Sequence, residues 1–138
     1  HLFEAGLVFN GVEKVPISAS IYMNLYGADA KNANGKNIFS SYAEISYNPT
    51  IKKAGVDLSV FAGAALNGQS YRVVVPEVGY VEKIGYYGNT GFAVINLGIK
   101  AKKAFQIGDK VSLPISTGLI FNPSSKKTYL VGSIGFVL

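Results

Sequence analysis

The stretch Val15-Pro16-Ile17-Ser18-Ala19-Ser20-Ile21-Tyr22-Met23-Asn24-Leu25-Tyr26 decides the fold. Val15, Ile17, Ala19, Ile21, Met23 and Leu25 alternate with Pro16, Ser18, Ser20, Tyr22 and Asn24. Successive side chains of an extended strand point to opposite faces, whereas a helix brings every third or fourth residue to one face. The pattern therefore predicts a strand from about Lys14 to Tyr26, apolar on one face and polar on the other.

The same period recurs on both sides. Residues 2–10 set Phe3, Ala5, Leu7 and Phe9 on one face. Residues 38–48 oppose Phe39, Ser41, Ala43, Ile45 and Tyr47 to Ser40, Tyr42, Glu44 and Ser46. Residues 55–67 oppose Val56, Leu58, Val60, Ala62, Ala64 and Leu66 to Asp57, Ser59, Phe61, Gly63 and Ala65. In 91–105 the apolar face is Ala93, Ile95, Leu97, Ile99 and Ala101, and the other face is Val94, Asn96, Gly98, Lys100 and Lys102. Residues 110–121 set Val111, Leu113, Ile115, Leu119 and Phe121 against Ser112, Pro114, Ser116 and Gly118, and 128–138 carries Leu130, Ile134, Phe136 and Leu138 on one face. Each segment is about ten residues, the length a tilted strand needs to cross a bilayer.

Connection lengths alternate too. Compact turns rich in Gly, Pro and Asn fall at 10–13, 48–54 and 106–109, and between them lie a polar loop at 27–37 and a long one at 68–90. The final connection, 122–127, is short although it falls on the long-loop side. Short turns at one end and long loops at the other are the plan of an outer-membrane barrel. Within the long loop, Tyr71-Arg72-Val73-Val74-Val75-Pro76 and Tyr80-Val81-Glu82-Lys83-Ile84 read as a protruding hairpin, because Pro76 does not suit a central strand.

Alternation alone leaves open which face meets water, and a soluble lipocalin-like barrel with an apolar ligand inside is the competing reading. Composition decides between them. Charged residues are 15% of the chain against roughly 25% in soluble domains, and hydrophobic ones reach 49%. The polar face is mostly Ser, Gly, Asn, Tyr and Ala, with a few charges of both signs (Glu4, Glu44, Asp57, Lys100, Lys102). Such a face is badly suited to solvent and well suited to a narrow barrel interior. The expected fold is all-β: an antiparallel up-and-down transmembrane β-barrel of about eight strands. Seven are countable, and residues 1–138 form one barrel domain or a fragment of one, with the long loop outermost.

Tyr86-Tyr87-Gly88-Asn89-Thr90-Gly91-Phe92-Ala93-Val94-Ile95-Asn96-Leu97-Gly98, Ser112-Leu113-Pro114-Ile115 and Leu119-Ile120-Phe121-Asn122-Pro123 resemble the C-terminal half of TorF-type porins of Bacteroidetes. The resemblance implies an outer-membrane barrel, further barrel upstream of His1, and a last strand read by the barrel-assembly machinery. Leu130, Ile134, Phe136 and Leu138 have the spacing of that signal, although the family usually ends on an aromatic residue.

Residues for other chemistry are sparse. There is no cysteine, and the one histidine is His1, so neither a Ser-His-Asp arrangement nor a His/Cys metal site is expected. Glu44 and Asp57, on adjacent strands, each suit a lumen ion pair with a lysine, or a hydrogen-bonded carboxylate, better than a joint acid/base dyad. Gly35-Lys36-Asn37 lacks the upstream glycine and final Ser or Thr of a phosphate loop. The net charge of +5 comes from scattered lysines, with no basic stripe for nucleic acid.

The function expected is a porin-like or structural barrel in a bacterial outer membrane. It is not an enzyme, passes small solutes at most passively, needs no cofactor, and has membrane lipid as its partner. The expected lumen residues are Ser18, Ser20, Tyr22, Asn24, Tyr42, Glu44, Asp57, Asn96, Lys100, Lys102, Ser112 and Ser116. Lys100 and Lys102 either attract anions, pair with Glu44 or Asp57, or snorkel at the rim. Tyr71, Arg72, Tyr80, Tyr86 and Tyr87 are the expected loop contacts, which a ligand or adhesion partner would use; the tyrosines equally suit an aromatic girdle at the membrane interface.

Overall fold

Alternating segments become a sheet once neighbours satisfy their backbone groups by pairing. The computed structural model describes residues 1–12, 14–108 and 110–137, and every regular element in it is a strand. These are β1 (Leu2–Phe9), β2 (Ile17–Gly27), β3 (Ser41–Tyr47), β4 (Thr50–Ile51), β5 (Val56–Ala65), β6 (Tyr71–Val75), β7 (Gly79–Lys83), β8 (Ala93–Ile107), β9 (Val111–Asn122) and β10 (Lys127–Ile134). The main sheet runs β1-β2-β3-β5-β8-β9-β10, antiparallel throughout, with the short β4 beside β5. β6 and β7 form a separate hairpin.

Register carries each face across the sheet. Phe9 pairs with Ala19, Ala19 with Ile45, Ile45 with Ala62, Ala62 with Leu97 and Leu97 with Phe121, so these lie on one face. On the other, Ser20 pairs with Glu44, Glu44 with Gly63 and Gly63 with Asn96. Burial along β2 is the reverse of a soluble strand. Ile17, Ala19, Ile21, Met23 and Leu25 are exposed, while Ser18, Ser20 and Tyr22 are partly covered and Asn24 is buried. Across the described residues the buried hydrophobics are only Phe61, Ala65 and Ile95, while Leu7 (75% exposed), Ile45 (56%), Leu119 (50%) and Leu130 (80%) stand bare. The two sides are termed the bare face and the covered face below.

Four expectations are corrected. First, the sheet is open: β1 and β10 end it, and no closed barrel forms among the described residues. The hairpin expected within the long loop does form, as β6–β7, turning through Glu77 and Gly79 at positive φ (69° and 91°), and so adds no strand to the main sheet.

Second, strands two and three start later than their patterns. Val12 and Val15 close a bridge ahead of Pro16, delaying β2 to Ile17. Phe39 sits at φ 52° and the Ser40 N–H bonds the Asp29 carboxylate, delaying β3 to Ser41.

Third, β8 carries a bulge opposite Gly63/Ala64: Gly63 pairs with Asn96 but Ala64 with Val94. One extra residue inverts the faces upstream of it. Val94 therefore shares the bare face with Ala64, whereas Ala93 follows Ala65 on the covered side and Ile95 is 5% exposed.

Fourth, the last strand ends at Ile134 and continues through the Gly135 N–H bond to the Pro114 carbonyl and the bridge of Val137 to Ser112. Leu138, the final residue of the expected assembly signal, lies outside the described residues.

Candidate functional site on the covered face

Glycines on the covered face make room for large side chains from neighbouring strands. A Cβ on Gly98 would overlap the Phe61 ring, and one on Gly63 would overlap the Tyr42 hydroxyl. Tyr22 lies in the same way over Gly6, and the Lys100 stem over Gly118. Large groups thus lie flat across the sheet.

Tyr42 is the hub of the loop-side half. Its hydroxyl donates to Glu44 Oε2 at 2.6 Å and accepts from Asn96 Nδ2 at 3.0 Å. The Tyr87 ring, from the segment after β7, packs on Tyr42 with centroids 5.9 Å apart, and Tyr86 meets Tyr87 edge-on at 5.0 Å. Glu4, Tyr22, Tyr42, Tyr87, Ile95 and Asn96 together line a pocket of about 270 Å³.

The segment carrying Tyr87 is tethered by Asn89, which is 5% exposed and donates to the Asn67 and Gly91 carbonyls. Gly68 and Gly85 approach Asn89 so closely that a Cβ on either would overlap its backbone carbonyl or side chain. Asn67 extends the tether, accepting from Ser41 N–H at 2.8 Å and donating to the carbonyls of Ile38 and Phe39.

Below this lies a polar node. Asn24, fully buried, donates to Asp29 Oδ1 at 3.3 Å, and Ser40 N–H donates to Oδ2 at 3.2 Å. Burial alone would raise the Asp29 pKa, but the hydrogen bonds from Ser40, Asn24 and Ala30 prevail and hold it below 3.8. At Tyr87, burial and then the negative charge of Glu4 push the phenol pKa upward.

The turn-side half is built differently. Ser18 and Ser46 hydroxyls meet at 2.6 Å, and Asn48 Nδ2 donates to both. Ser116 and Ser133 meet at 2.8 Å beside Lys102. Asp57 accepts from Thr50 at 2.8 Å, and the Lys100 ammonium lies 4.5 Å from the Phe61 centroid, so these two charges engage partners other than the suggested ion pair. On the bare face at the same end, Lys103 lies 5.3 Å from the Phe105 ring.

Register places all twelve expected lumen residues on the covered face: Ser18, Ser20, Tyr22 and Asn24 from β2, Tyr42 and Glu44 from β3, Asp57 from β5, Asn96, Lys100 and Lys102 from β8, Ser112 and Ser116 from β9. They form two groups at opposite ends of the strands, not one site. The five loop residues divide as well. Tyr71, Arg72 and Tyr80 belong to the β6–β7 hairpin, where the Arg72 guanidinium covers the Tyr80 ring at 4.7 Å. Tyr87 turns onto the covered face with Tyr86 against it, which does not suit a girdle role for Tyr87.

Sequence reading missed the inward Ile95, the Asn89 tether and the Asp29 node. A bulge leaves no mark in a run as evenly apolar as Ala93-Val94-Ile95. The clustering of Gly with Asn at Asn67-Gly68 and Gly88-Asn89 was the available signal for the tether.

Comparison of the chain with protein-family models, curated protein sequences and solved structures finds no match in any of the three.

Proposed function

We propose that this sheet is part of the wall of a bacterial outer-membrane β-barrel, porin-like or structural, that passes small solutes passively at most and carries out no catalysis. The reading rests above all on inverted burial: apolar side chains stand bare across the sheet while Ser, Tyr, Asn, Glu and Lys side chains share the other face. In water, bare area of this kind is an association hazard; against lipid it is the favoured state. The apolar hollow of about 440 Å³ between Ile17, Ile45, Val60 and Leu97 on the bare face is open to its surroundings, unlike the enclosed cavity in which a soluble barrel holds an apolar ligand.

Strand dimensions support the same reading. From Val94 to Phe105 the bare face of β8 spans eleven steps. At about 3.3 Å per residue and a tilt near 40°, it is roughly 28 Å tall, close to the ~25 Å apolar band of such barrels. Exposed rings stand towards both limits, Phe3 and Tyr26 at the loop side and Phe9, Tyr47 and Phe105 at the turn side, as aromatic girdles would. Lys103 beside Phe105 suits a snorkelling lysine at the turn-side rim. The resemblance to TorF-type porins points the same way and adds the assembly machinery as a partner of the last strand.

The deciding experiment is folding into lipid vesicles with a single fluorescent label at Ile45, Val60 or Ile99, or at Ser20 or Asn96. A quencher dissolved in the acyl chains is expected to dim the first three labels and spare the last two. A chain that stays monodisperse without detergent, with all five labels beyond the quencher's reach, would overturn the proposal. It would then favour a second sheet packing on the bare face.

A further inference from the structure

We propose that the pocket walled by Tyr22, Tyr42, Tyr87 and Glu4 binds a small organic cation carrying a substituted ammonium group; this rests on the reading of the covered face as a barrel interior. The three rings line one cavity of about 270 Å³, near the lower limit for ligand pockets. Ring faces are the negative part of an aromatic quadrupole and attract a cation held within about 6 Å.

Charge points the same way. Glu4 lines the pocket directly, Glu44 accepts from the Tyr42 hydroxyl, and Asn24, paired with Glu4 across the strands, donates to Asp29. None of the lining residues is a lysine or arginine. The covered face keeps its cations at the other end, where Lys100 stands over Phe61 and Lys102 lies beside Ser116 and Ser133. Burial and then the charge of Glu4 push the Tyr87 pKa upward, in keeping with Glu4 and the ring sharing one pocket.

The arrangement is also held before any ligand arrives. Asn89 fixes the segment bearing Tyr87 against Asn67 and Gly68, Asn96 and Glu44 fix the Tyr42 ring, and Gly6 leaves Tyr22 no competing side chain. Ordering costs that would otherwise oppose a weak ligand are thereby already met by the fold. Ile95, brought inward by the bulge, supplies an apolar wall for the alkyl groups of a substituted ammonium.

Choline is the probe, compared with its uncharged analogue in which carbon replaces the quaternary nitrogen. The detergent-folded chain is titrated by equilibrium dialysis and by its tyrosine emission, which no tryptophan masks. Saturable choline binding at least tenfold tighter than the analogue is expected. Glu4→Gln and Tyr87→Leu are each expected to weaken it between about twofold and thirtyfold, the range of a cation–π or desolvated charge contact. Tyr87→Phe, which keeps the ring, and Tyr80→Leu on the hairpin should stay within twofold of the parent. Equal affinity for the analogue, no saturable binding, or binding indifferent to Glu4→Gln would overturn the proposal. Vesicle insertion is scored separately, so a chain that inserts but ignores choline refutes this inference and leaves the barrel reading standing.

Discussion

Gly98 shows how much a missing side chain can specify. The Phe61 ring fills the space a Cβ would take, and the Lys100 ammonium then rests over that ring. Gly98→Ala is expected to destabilise the folded chain by about 1–3 kcal/mol, the usual cost of overpacking. In a Phe61→Ala background the same substitution should cost less, because the two effects share one contact. Urea titration of the four proteins in detergent micelles measures the coupling.

Asp29 makes a prediction about acid. Its folded-state pKa lies below 3.8, so its stabilising contribution is complete above that value and lost as pH falls through the folded pKa. Relative to its intrinsic rate, hydrogen exchange of the 28–40 amides should accelerate on acidification below about pH 4, where the carboxylate begins to protonate. Asp29→Asn, which costs roughly 1–3 kcal/mol at neutral pH by unbalancing a buried hydrogen-bonded carboxylate, should abolish most of that acceleration. None of this was legible in Gly27-Ala28-Asp29-Ala30, because the partners Asn24 and Ser40 are brought together only by strand pairing.

At the level of elements, the strands were readable because period two persists wherever one face differs chemically from the other. It was clearest in β2 and β5, where Ser18, Ser20 and Asn24, or Asp57 and Ser59, interrupt the aliphatic row. It failed at 93–95, where three apolar residues in succession hide an inserted residue, and at 38–40, where Asp29 captures the Ser40 amide. Single-cysteine variants test the bulge without interference, since the chain has no cysteine of its own. Val94→Cys should contact the lipid phase and Ile95→Cys should not, the opposite of uninterrupted alternation. Val60→Arg, at the middle of β5 on the bare face, is expected to cost about 2–4 kcal/mol in vesicles, whereas Ser59→Arg beside it costs far less.

For the whole molecule, the sequence revealed a sheet with a polar and an apolar face, but the closed barrel expected from it does not form among the described residues. Closure depends on pairing between strands far apart in the chain, about which local periodicity is silent. The same holds for the pocket. Tyr22, Tyr42 and Asn96 were recognisable as one face, but Tyr87 joined them through a loop that packs back, a tertiary event fixed by Asn89.

The open order β1-β2-β3-β5-β8-β9-β10 has a consequence of parity. Seven strands that reverse direction at every step leave β1 and β10 pointing the same way, so joining them would create one parallel seam in an otherwise antiparallel ring. Copies of the chain arranged about the barrel axis cannot remove that seam, since each contributes the same odd number in the same sense. An antiparallel seam requires strands of different sequence, odd in number, between β10 and β1. In a hydrocarbon layer either kind of seam, parallel or antiparallel, must be hydrogen-bonded along its whole length, because each backbone group left open costs several kcal/mol.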